Sequence, residues 1–320
     1  MSLLLKVSGL TTSFHLPHGA VRAVDGVDFS VDMGETLAIV GESGCGKSVT
    51  AYSVMRLVVP PGRIESGEVL FNGRNLLALS EKEMQGVRGN HISMIFQEPM
   101  TSLNPVMTVG SQIAEGLMLH RGLSGETARR EATEILRQVG IPSPAARYND
   151  YPHQMSGGMR QRIMIAMALA CRPRLLIADE PTTALDVTIQ AQILELIDLM
   201  KESSGMGLIL ITHDLGIVSE RARNTAIMYA GRIMEYASSS EIFHNPLHPY
   251  TQGLLESLPQ NSVPGRPIRT IPGNVPDLFS PLPGCGFCDR CPITERRCRE
   301  EKPEMKEVGG GHMVRCWKYQ

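Results

Sequence analysis

The 320-residue chain has few aromatic residues, almost no net charge and no long uninterrupted apolar run. Because aromatic residues make up only 5% of the chain, a surface that stacks nucleic-acid bases is not expected. Lys plus Arg (31) nearly balances Asp plus Glu (33), so the chain lacks the basic excess of a protein that binds many phosphates. No apolar stretch approaches about 18 residues and the start is not signal-like, so we expect neither a membrane-spanning helix nor a secretory leader.

The amino-acid composition is otherwise that of an ordinary globular protein, but the cysteines are unevenly distributed along the chain. Hydrophobic residues make up 42% of the chain and charged residues 20%, which excludes extensive disorder and fibrous folds. The seven cysteines are an odd number, and most of them lie between residues 285 and 320. Without a leader we expect a cytosolic protein, whose thiols stay reduced, so a cysteine cluster indicates metal binding rather than disulfides.

Hydrophobic patterning predicts an α/β fold with a helical insertion. Thr36–Val40 is typical of a strand buried on both faces, and two longer β-like runs, Leu4–Phe14 and Val21–Val31, precede it. The spacing is helical over Val109–His120, Gly125–Val139 and Ser156–Cys171, with a loop expected at Ile141–Pro152. Strands and helices alternate again after this block. Such alternation predicts a parallel sheet with helices on both faces. From Asn245 onwards prolines cluster, which indicates a linker running over a surface towards the cysteine cluster.

The strand Thr36–Val40 leads directly into a motif that cradles phosphate. The motif G-x-x-x-x-G-K-[ST] is formed by Gly41, Glu42, Ser43, Gly44, Cys45, Gly46, Lys47 and Ser48. Its glycines let backbone N–H groups and a helix N-terminus face the anion. Lys47 is expected to reach the β- and γ-phosphates and Ser48 to bind Mg²⁺, and a bulky group attached to Cys45 is expected to block the nucleotide. The strand-to-helix context disfavours the alternative, a plain glycine-rich turn.

Three other apolar runs end in polar residues. The strand beginning at Leu175 ends in Asp179 and Glu180, of which Asp179 suits a Mg²⁺ shell and Glu180 suits polarising an attacking water. Gln97 and His213 follow the other two runs. An acidic helix cap would also explain the carboxylates, and a structural role would explain the histidine. However, the carboxyl ends of parallel strands meet at the sheet edge where ligands bind, which favours a functional site over these alternatives.

A further sequence motif, after the predicted loop at Ile141–Pro152, identifies the family that the chain resembles. The residues Met155–Arg162, M-S-G-G-M-R-Q-R, resemble the signature of ATP-binding-cassette (ABC) ATPases. Gln97 resembles the Q-loop of this family, Ala184-Leu185-Asp186 the D-loop and His213 the switch histidine. The resemblance covers about Leu4–Tyr236, with every motif in order.

The resemblance implies a P-loop NTPase with a RecA-like parallel sheet, an N-terminal antiparallel β subdomain, an inserted helical subdomain and a small metal-binding C-terminal tail. It also implies that ATP hydrolysis needs a dimer, because the signature of one cassette completes the ATP site of the other. The residues expected to contact the partner's ATP are Ser156, Gly157, Gly158 and Met159. Without the resemblance, Ser156 is only a good helix N-cap.

Within one cassette the resemblance assigns several roles. The expected catalytic residues are Glu180 as base, His213 and Gln97. The expected Mg²⁺ ligands are Ser48, Gln97 and Asp179, and Asp186 is the acidic residue of the D-loop. Nucleotide contacts extend to Val49, which replaces a threonine of many relatives, and to Phe14, which either stacks on adenine or is a core aromatic. Met155 and Met159 replace the usual Leu and Gln of the signature.

Two segments outside the cassette motifs resemble importers of dipeptides and oligopeptides. They are Asn245–Leu255 and Glu98–Pro105. The resemblance divides the chain into an ABC domain at 1–244 with a helical subdomain at about 98–172, a proline-rich linker at 245–284 and a cysteine-rich tail at 285–320. It implies a peripheral subunit at the cytoplasmic face of the membrane, paired with a second ATPase as a heterodimer or, in isolation, as a homodimer. Two membrane permeases and, indirectly, an extracytoplasmic peptide-binding protein complete the assembly.

The tail cysteines resemble the pattern of peptide-importer ATPases that carry a [4Fe–4S] cluster. The ligands implied are Cys285, Cys291, Cys298 and Cys316. Four thiolates suit such a cluster, although zinc accepts the same number of cysteine ligands. With Cys285 and Cys291, Cys288 forms a C-x2-C-x2-C run, a spacing that also resembles ferredoxin ligation. We treat Cys288 as a spare thiol. We expect the metal to have a structural or docking role and the tail not to fold without it.

A second function, from another class, is a soluble iron–sulfur ABC ATPase acting on ribosomes or nucleic acid. Ribosome-recycling relatives carry two cassettes and an N-terminal cluster, whereas this chain has one cassette and C-terminal cysteines. The tail mixes Glu300, Glu301 and Glu304 with its arginines and has no basic stripe. Transport is therefore the favoured hypothesis, and no nucleic-acid partner is expected.

Overall fold

A computed structural model describes residues 2–17, 19–98, 102–183, 186–258, 270–276, 279 and 282–320. The chain folds as two compact units. The helical unit is built mainly from Ala78–Ile209. The sheet unit is built from Leu3–Val31, Glu35–Leu77 and Leu210–Gln320.

Some of the predicted features lie outside the described residues. These are Ala184 and Leu185 of the D-loop, residues 99–101 of the segment after Gln97, and residues 259–269, 277–278 and 280–281 of the linker. The domain boundaries at 244 and 284, and the inserted subdomain at 98–172, stay predictions.

Strands and helices alternate along most of the described chain. Its strands are β1 (Leu3–Leu16), β2 (Gly19–Asp32), β3 (Thr36–Val40), β4 (Gly62–Phe71), β5 (Arg74–Asn75), β6 (Ile92–Ile95), β7 (Leu175–Asp179), β8 (Gly207–Thr212), β9 (Asn224–Tyr229), β10 (Arg232–Ser238), β11 (Lys306–Gly309) and β12 (His312–Val314). Its α-helices are α1 (Lys47–Val54), α2 (Glu81–Val87), α3 (Val109–Arg121), α4 (Gly125–Gln138), α5 (Pro144–Arg147), α6 (Gly157–Leu169), α7 (Val187–Ser204), α8 (Leu215–Arg221), α9 (Ser239–His244), α10 (Pro249–Glu256) and α11 (Arg296–Glu300).

Most helices of the helical unit begin where a short polar side chain caps the first turn. The capping residues, each accepting a hydrogen bond from a backbone N–H of that turn, are Ser80, Thr108, Ser124, Ser156 and Asp186. A cap satisfies an amide that has no partner inside the helix. Because this signal is local, the three predicted helical stretches correspond to α3, α4 and α6. The predicted loop at Ile141–Pro152 is wrong over Pro144–Arg147, which forms the short helix α5.

The N-terminal part of the sheet unit contains a four-stranded sheet in the order β2–β1–β4–β5. β1 and β4 are antiparallel, with Leu5 opposite Phe71 and Phe14 opposite Gly62. This sheet corresponds to the antiparallel β subdomain implied by the resemblance. Sequence patterning did not reveal β4, because consecutive residues in the middle of this strand are exposed and the apolar–polar alternation is lost.

A second sheet runs through the sheet unit in the order β11–β12–β10–β9–β3. β3 and β9 are parallel, whereas β9–β10, β10–β12 and β12–β11 are antiparallel pairs. The predicted parallel sheet therefore has an antiparallel edge, which the sequence did not indicate. The C-terminal hairpin β11–β12 extends this edge, so residues 306–314 are built into the sheet.

In the helical unit, β6 and β7 are parallel, with Ile95 opposite Ala178, and β8 follows β7 in the strand order. Every residue of β7 is buried, as predicted for a strand covered on both faces. On α3, Ile113 and Leu117 belong to the core, while Met118 is 42% exposed. Within the described residues, no helix has the length and apolar character needed to cross a membrane.

The segment after β10 packs into the core of the sheet unit, which differs from the predicted surface linker. α10 buries Tyr250 and Leu255. The Tyr250 ring packs against Tyr229 and Phe287, with centroid distances of 4.6 and 5.3 Å. Proline content misleads here because Pro249 occupies the first turn of α10, where proline is tolerated.

A buried carboxylate, Glu235 of β10, ties three parts of the sheet unit together. It accepts hydrogen bonds from the N–H groups of Leu247 and His248 at 2.7 and 3.0 Å. Nε2 of His312 in β12 lies 2.7 Å from the same carboxylate. A buried carboxylate is tolerated only with such partners. Glu235 therefore fixes the start of α10 against the C-terminal hairpin.

Replacing Glu235 with alanine is expected to lower the free energy of unfolding by about 3–5 kcal/mol, because the buried N–H groups and His312 lose their partner. Urea unfolding followed by circular dichroism measures this loss. Glu68→Ala, at an exposed position of β4, is the matched control and should change the free energy of unfolding by less than about 0.5 kcal/mol. A loss below about 1 kcal/mol for Glu235→Ala would contradict this role.

Candidate active site

The phosphate loop lies between β3 and α1, and its backbone packs against neighbouring strands. A Cβ atom at Gly41 would lie 2.1 Å from the carbonyl oxygen of Met228 in β9. A Cβ atom at Gly46 would lie 2.2 Å from the carbonyl oxygen of Ala23 in β2, and Gly46 has a φ of 105°. Only glycine fits at either position, which is the physical reason for the glycine spacing of the motif.

α1 begins at Lys47, whose buried side chain folds back over the loop. Its ammonium donates hydrogen bonds to the carbonyl oxygens of Gly41 and Glu42 at 2.8 and 3.0 Å. Ser48 and Val49 follow in the first turn of α1 and are partly exposed. The structure thus brings the predicted loop residues together, with the Lys47 ammonium bound to the loop backbone. Their contacts to nucleotide stay predictions.

The thiol of Cys45 is buried inside the loop. Burial raises the pKa of this thiol, and the nearby Lys47 ammonium opposes the shift only in part. A buried, protonated thiol is a poor nucleophile. The expectation that a group attached to Cys45 blocks the nucleotide therefore applies only to a loop that has first opened.

Glu42 connects the loop to the C-terminal part of the sheet unit. Its N–H donates to the hydroxyl of Tyr250 at 3.0 Å. Its carboxylate accepts two hydrogen bonds from Arg290, at 2.7 and 3.1 Å. These partners lie 208 and 248 residues further along the chain, so no local sequence signal links them to the loop.

The other predicted residues of the sheet unit are Phe14 and His213. The ring of half-buried Phe14 lies against Gly62, where an added Cβ atom would be 2.7 Å from it. His213 is exposed directly after β8, and the next residue, Asp214, caps α8 by accepting the N–H of Gly216 at 2.8 Å. The adenine contact of Phe14 and the phosphate contact of His213 stay predictions.

The acidic end of β7 belongs to the helical unit. Asp179 is fully buried as the last residue of the strand, and Glu180 follows it. Nε2 of Gln97 donates to Oε2 of Glu180 at 3.2 Å, and Oγ1 of Thr183 donates to the same oxygen at 2.8 Å. The structure therefore brings Gln97 and Glu180 into contact and adds Thr183, which the sequence pattern did not reveal.

Glu180 has a left-handed backbone conformation, with a φ of 45°. This conformation is uncommon for a residue with a side chain and costs of order 1–3 kcal/mol. Strained residues of this kind cluster at functional sites, where the surrounding structure holds them in place. The hydrogen bonds from Gln97 and Thr183 fix the direction of the strained residue's carboxylate.

The signature residues open α6 in the helical unit. Ser156 is exposed and caps the helix, its hydroxyl accepting the N–H of Met159 at 3.3 Å. Further along α6, Gln161 is 2% exposed and donates to the carbonyl oxygen of Pro181. Gln161 thus joins the signature helix to the acidic strand end, a contact between distant residues that no sequence motif indicated.

α6 and α7 approach each other closely near the signature. Asp186, the described residue of the predicted D-loop, caps α7 by accepting the N–H of Ile189 at 2.9 Å. A Cβ atom at Gly158 would lie 3.4 Å from the side chain of the same isoleucine. Ile189 therefore links the start of α7 to the signature.

Comparison with known families identifies the chain. Residues 24–183, half of its length, match the family described as "ABC transporter". The chain belongs to the ABC transporter family. Residues 234–298 of this ABC subunit also match the family described as "Oligopeptide/dipeptide transporter, C-terminal region".

Relatives of the ABC subunit match along nearly its whole length. It is 55% identical to a probable peptide ABC transporter ATP-binding protein, y4tR, of Sinorhizobium fredii, over 99% of this chain and 95% of that protein. It is 52% identical to the dipeptide transport ATP-binding protein DppD of Bacillus subtilis over the same shares. A dimeric post-hydrolysis structure of the ATP-binding cassette MJ0796 bound to ADP and Pi matches with a TM-score of 0.66 and 27% identity, covering 74% of this chain and 99% of that one. The predicted P-loop cassette fold is confirmed.

The C-terminal region of the ABC subunit gathers the tail cysteines around one small cavity. The cavity has a volume of about 120 Å³, and its walls include Cys285, Cys288, Cys291, Cys298 and Cys316. Burial raises the pKa of Cys285 to about 12, and the neighbouring thiols add to the shift. Within the described ranges, no three metal-binding side chains converge on a point where a single ion could sit.

In the folded ABC subunit, Cys45 is expected to resist alkylation, because its thiol is buried and protonated. Iodoacetamide should leave ATP binding unchanged while mass spectrometry finds Cys45 unmodified, whereas in urea the same thiol should react fully. Cys45→Ser controls for modification of other residues. Loss of ATP binding in proportion to labelling of Cys45 in the folded protein would show that the thiol is accessible.

Proposed function

We propose that this ABC subunit hydrolyses ATP to drive the import of peptides, of the dipeptide and oligopeptide class, across the cytoplasmic membrane. The observation that carries the proposal is that one chain matches both the ABC transporter family, over residues 24–183, and the oligopeptide/dipeptide transporter C-terminal region, over residues 234–298. Relatives named as peptide and dipeptide transport ATP-binding proteins match nearly the whole chain. ABC subunits of this kind are ATPases that work as cassette dimers with membrane permeases, on the cytoplasmic side.

The phosphate loop binds the anionic end of ATP. Its N–H groups and the N-terminus of α1 direct the positive ends of peptide dipoles at the phosphates. Lys47 exchanges its hydrogen bonds with loop carbonyls for bonds to β- and γ-phosphate oxygens. The proposed Mg²⁺ ligands are Ser48, Gln97 and Asp179, whose oxygens suit this ion. Val49 and Phe14 complete the proposed nucleotide contacts.

Glu180 acts as the general base towards the attacking water. The hydrogen bonds from Gln97 and Thr183 orient its carboxylate. A carboxylate held in one direction accepts the proton of water as the oxygen attacks the γ-phosphorus. His213 contacts the γ-phosphate in this proposal, and positioning together with charge stabilisation supplies most of the rate enhancement.

The exposed N-terminus of α6 serves the ATP of a second cassette. Ser156 and the residues after it, Gly157, Gly158 and Met159, present a hydroxyl and N–H groups at the positive end of the helix dipole. The cassette MJ0796 was solved as a dimer. We infer a head-to-tail dimer with a second ATPase subunit, the homodimer being the form expected of the isolated chain.

The helical unit offers apolar surface to the membrane subunits. Met118 and Leu119 of α3 are 42% and 74% exposed, and Val106, shortly before α3, is 80% exposed. Met118 and Leu119 are adjacent in α3, and adjacent exposed apolar side chains suit a protein-binding surface. We propose that two permease subunits dock here and that an extracytoplasmic binding protein delivers the peptide to them.

We further propose that the tail holds a [4Fe–4S] cluster. The proposed ligands, which line one cavity, are Cys285, Cys291, Cys298 and Cys316. Each thiolate of such a cluster binds a different iron atom, so the sulfurs surround a volume. Zinc, which four cysteines can hold at one centre, is the competing assignment.

Cys288 lines the same cavity and is proposed as the spare thiol. Its Sγ lies 3.8 Å from Oδ1 of Asp289. Burial and this carboxylate raise the pKa of Cys288. When bound, the cluster would cross-link a loop-rich segment that is also held by Phe287 in the core.

Glu180→Gln is expected to bind ATP and to lose about 100-fold or more of its steady-state hydrolysis, since an amide cannot accept the proton of the attacking water. The test uses the assembly purified with its permeases and measures ATP affinity and phosphate release. Glu195→Gln, exposed on α7, is the matched control and should hydrolyse ATP like the wild type. Normal hydrolysis by Glu180→Gln would remove the base assignment.

The same purification separates transport from the alternative, a soluble iron–sulfur ABC ATPase acting on ribosomes or nucleic acid. Transport predicts co-purification with membrane permeases and hydrolysis stimulated by a peptide-loaded binding protein. Hydrolysis stimulated by RNA in the absence of membranes would favour the alternative. The near balance of basic and acidic residues favours transport.

Anaerobically purified protein is expected to be coloured and to contain about four iron and four sulfide per chain. Cys291→Ala should lose most of the iron, because it removes a proposed ligand. Cys288→Ala is the matched control and should keep the visible absorption spectrum of the wild type. A colourless protein that contains only zinc would overturn the cluster assignment.

A further inference from the structure

Arg290, the residue directly before Cys291, forms a two-pronged ion pair with the phosphate loop. Its Nη1 and Nη2 donate to the two carboxylate oxygens of Glu42 at 2.7 and 3.1 Å. The side chain of Arg290 is 7% exposed and that of Glu42 is 27% exposed. A bidentate pair shielded in this way is stronger and more directional than an ion pair on the surface.

The guanidinium of Arg290 is fixed by other acceptors as well. Its Nε donates to the carbonyl oxygen of Pro272 at 3.0 Å, Nη2 to that of Ile271 at 3.2 Å, and Nη1 to the hydroxyl of Tyr229 at 3.2 Å. Its central carbon lies 5.7 and 6.0 Å from the ring centres of Tyr229 and Phe287. Each of the three nitrogens therefore has a fixed acceptor, and the side chain cannot simply follow a loop that moves.

The part of the loop that Arg290 holds is the part that positions Lys47. The carbonyl oxygens of Gly41 and Glu42 accept the hydrogen bonds of this lysine at 2.8 and 3.0 Å. The N–H of Glu42 donates to Tyr250 at 3.0 Å, so Glu42 is fixed through its N–H, its carbonyl and its side chain. Displacing Glu42 would therefore move the ammonium that the phosphates require.

Three other arginines of the tail lie on the surface. Their ion pairs are Arg296–Glu300, Arg297–Glu301 and Arg299–Asp289. The arginine side chains of these pairs are 89%, 56% and 55% exposed. Exposed pairs of this kind contribute little to stability. Arg290 differs because it is buried and because it stands between two cysteines, in the run C-D-R-C.

We propose that Arg290 is a positioning residue for ATP binding. It holds the first turn of the phosphate loop in the binding conformation and couples the cysteine segment to the affinity for nucleotide. A loop that is already held loses less conformational freedom when the phosphates bind. The inference rests on the proposed ATP-binding role of the loop, but neither on peptide transport nor on the metal.

The test is a double-mutant cycle in the full chain, with the Kd for ATP measured by isothermal titration calorimetry. Arg290→Met should weaken ATP binding about tenfold in the wild-type background and less than about twofold in the Glu42→Ala background, where the acceptor is already absent. Arg290→Lys should fall between, because an ammonium cannot bind both carboxylate oxygens in the same way. Arg299→Met, exposed in the same segment, is the control and should keep the wild-type Kd.

Two results would overturn the proposal. One is a wild-type Kd for Arg290→Met, and the other is an equal loss in both backgrounds, because Arg290 would then act without Glu42. Thermal unfolding of each variant separates a folding defect from a binding defect. If Arg290→Met does not fold, Arg290→Lys in the two backgrounds carries the same comparison. A wild-type chain that binds no ATP would instead refute the proposed function itself.

Discussion

Backbone atoms pack so closely around the phosphate loop that two of its positions have no room for a side chain. The carbonyl oxygen of Met228 lies against Gly41, and that of Ala23 lies against Gly46. Between these contacts, the N–H of Gly231 donates to the carbonyl oxygen of Cys45 at 2.9 Å. Because β2 and the β9–β10 hairpin thus define the conformation of the loop, whatever stabilises these strands also supports phosphate binding.

The C-terminal region adds to this support. Glu235 joins β10 to β12 and to the start of α10, and Tyr250 and Phe287 pack with Tyr229 at the end of β9. By composition the region after β10 is rich in proline and in cysteine, which indicates a loose linker and a metal-dependent tail. Buried rings and hydrogen bonds to a buried carboxylate nevertheless build much of its described part into the core of the sheet unit.

Features with a local cause were predictable. The loop motif follows a buried strand, the helices of the helical unit have their caps, and the acidic pair ends a continuous apolar run. β4 and α10 were not predictable, since the first lacks alternation and the second starts with proline where the pattern suggested a linker. Thr183 belongs to no predicted motif, and Gln161 had no predicted role beyond its place in the signature run. The roles of both depend on contacts that only folding creates.

The sequence by itself determined the residues that form the phosphate cradle, the acidic strand end and the signature. Their chemistry depends on short-range geometry: glycines that permit close approach, consecutive N–H groups, and side chains at the ends of strands and helices. Only the tertiary structure decided that Cys45 is shielded, that the C-terminal hairpin extends the sheet, and that Arg290 meets Glu42. Burial and pairing between residues far apart in the chain depend on how the whole unit packs, and no local pattern encodes them.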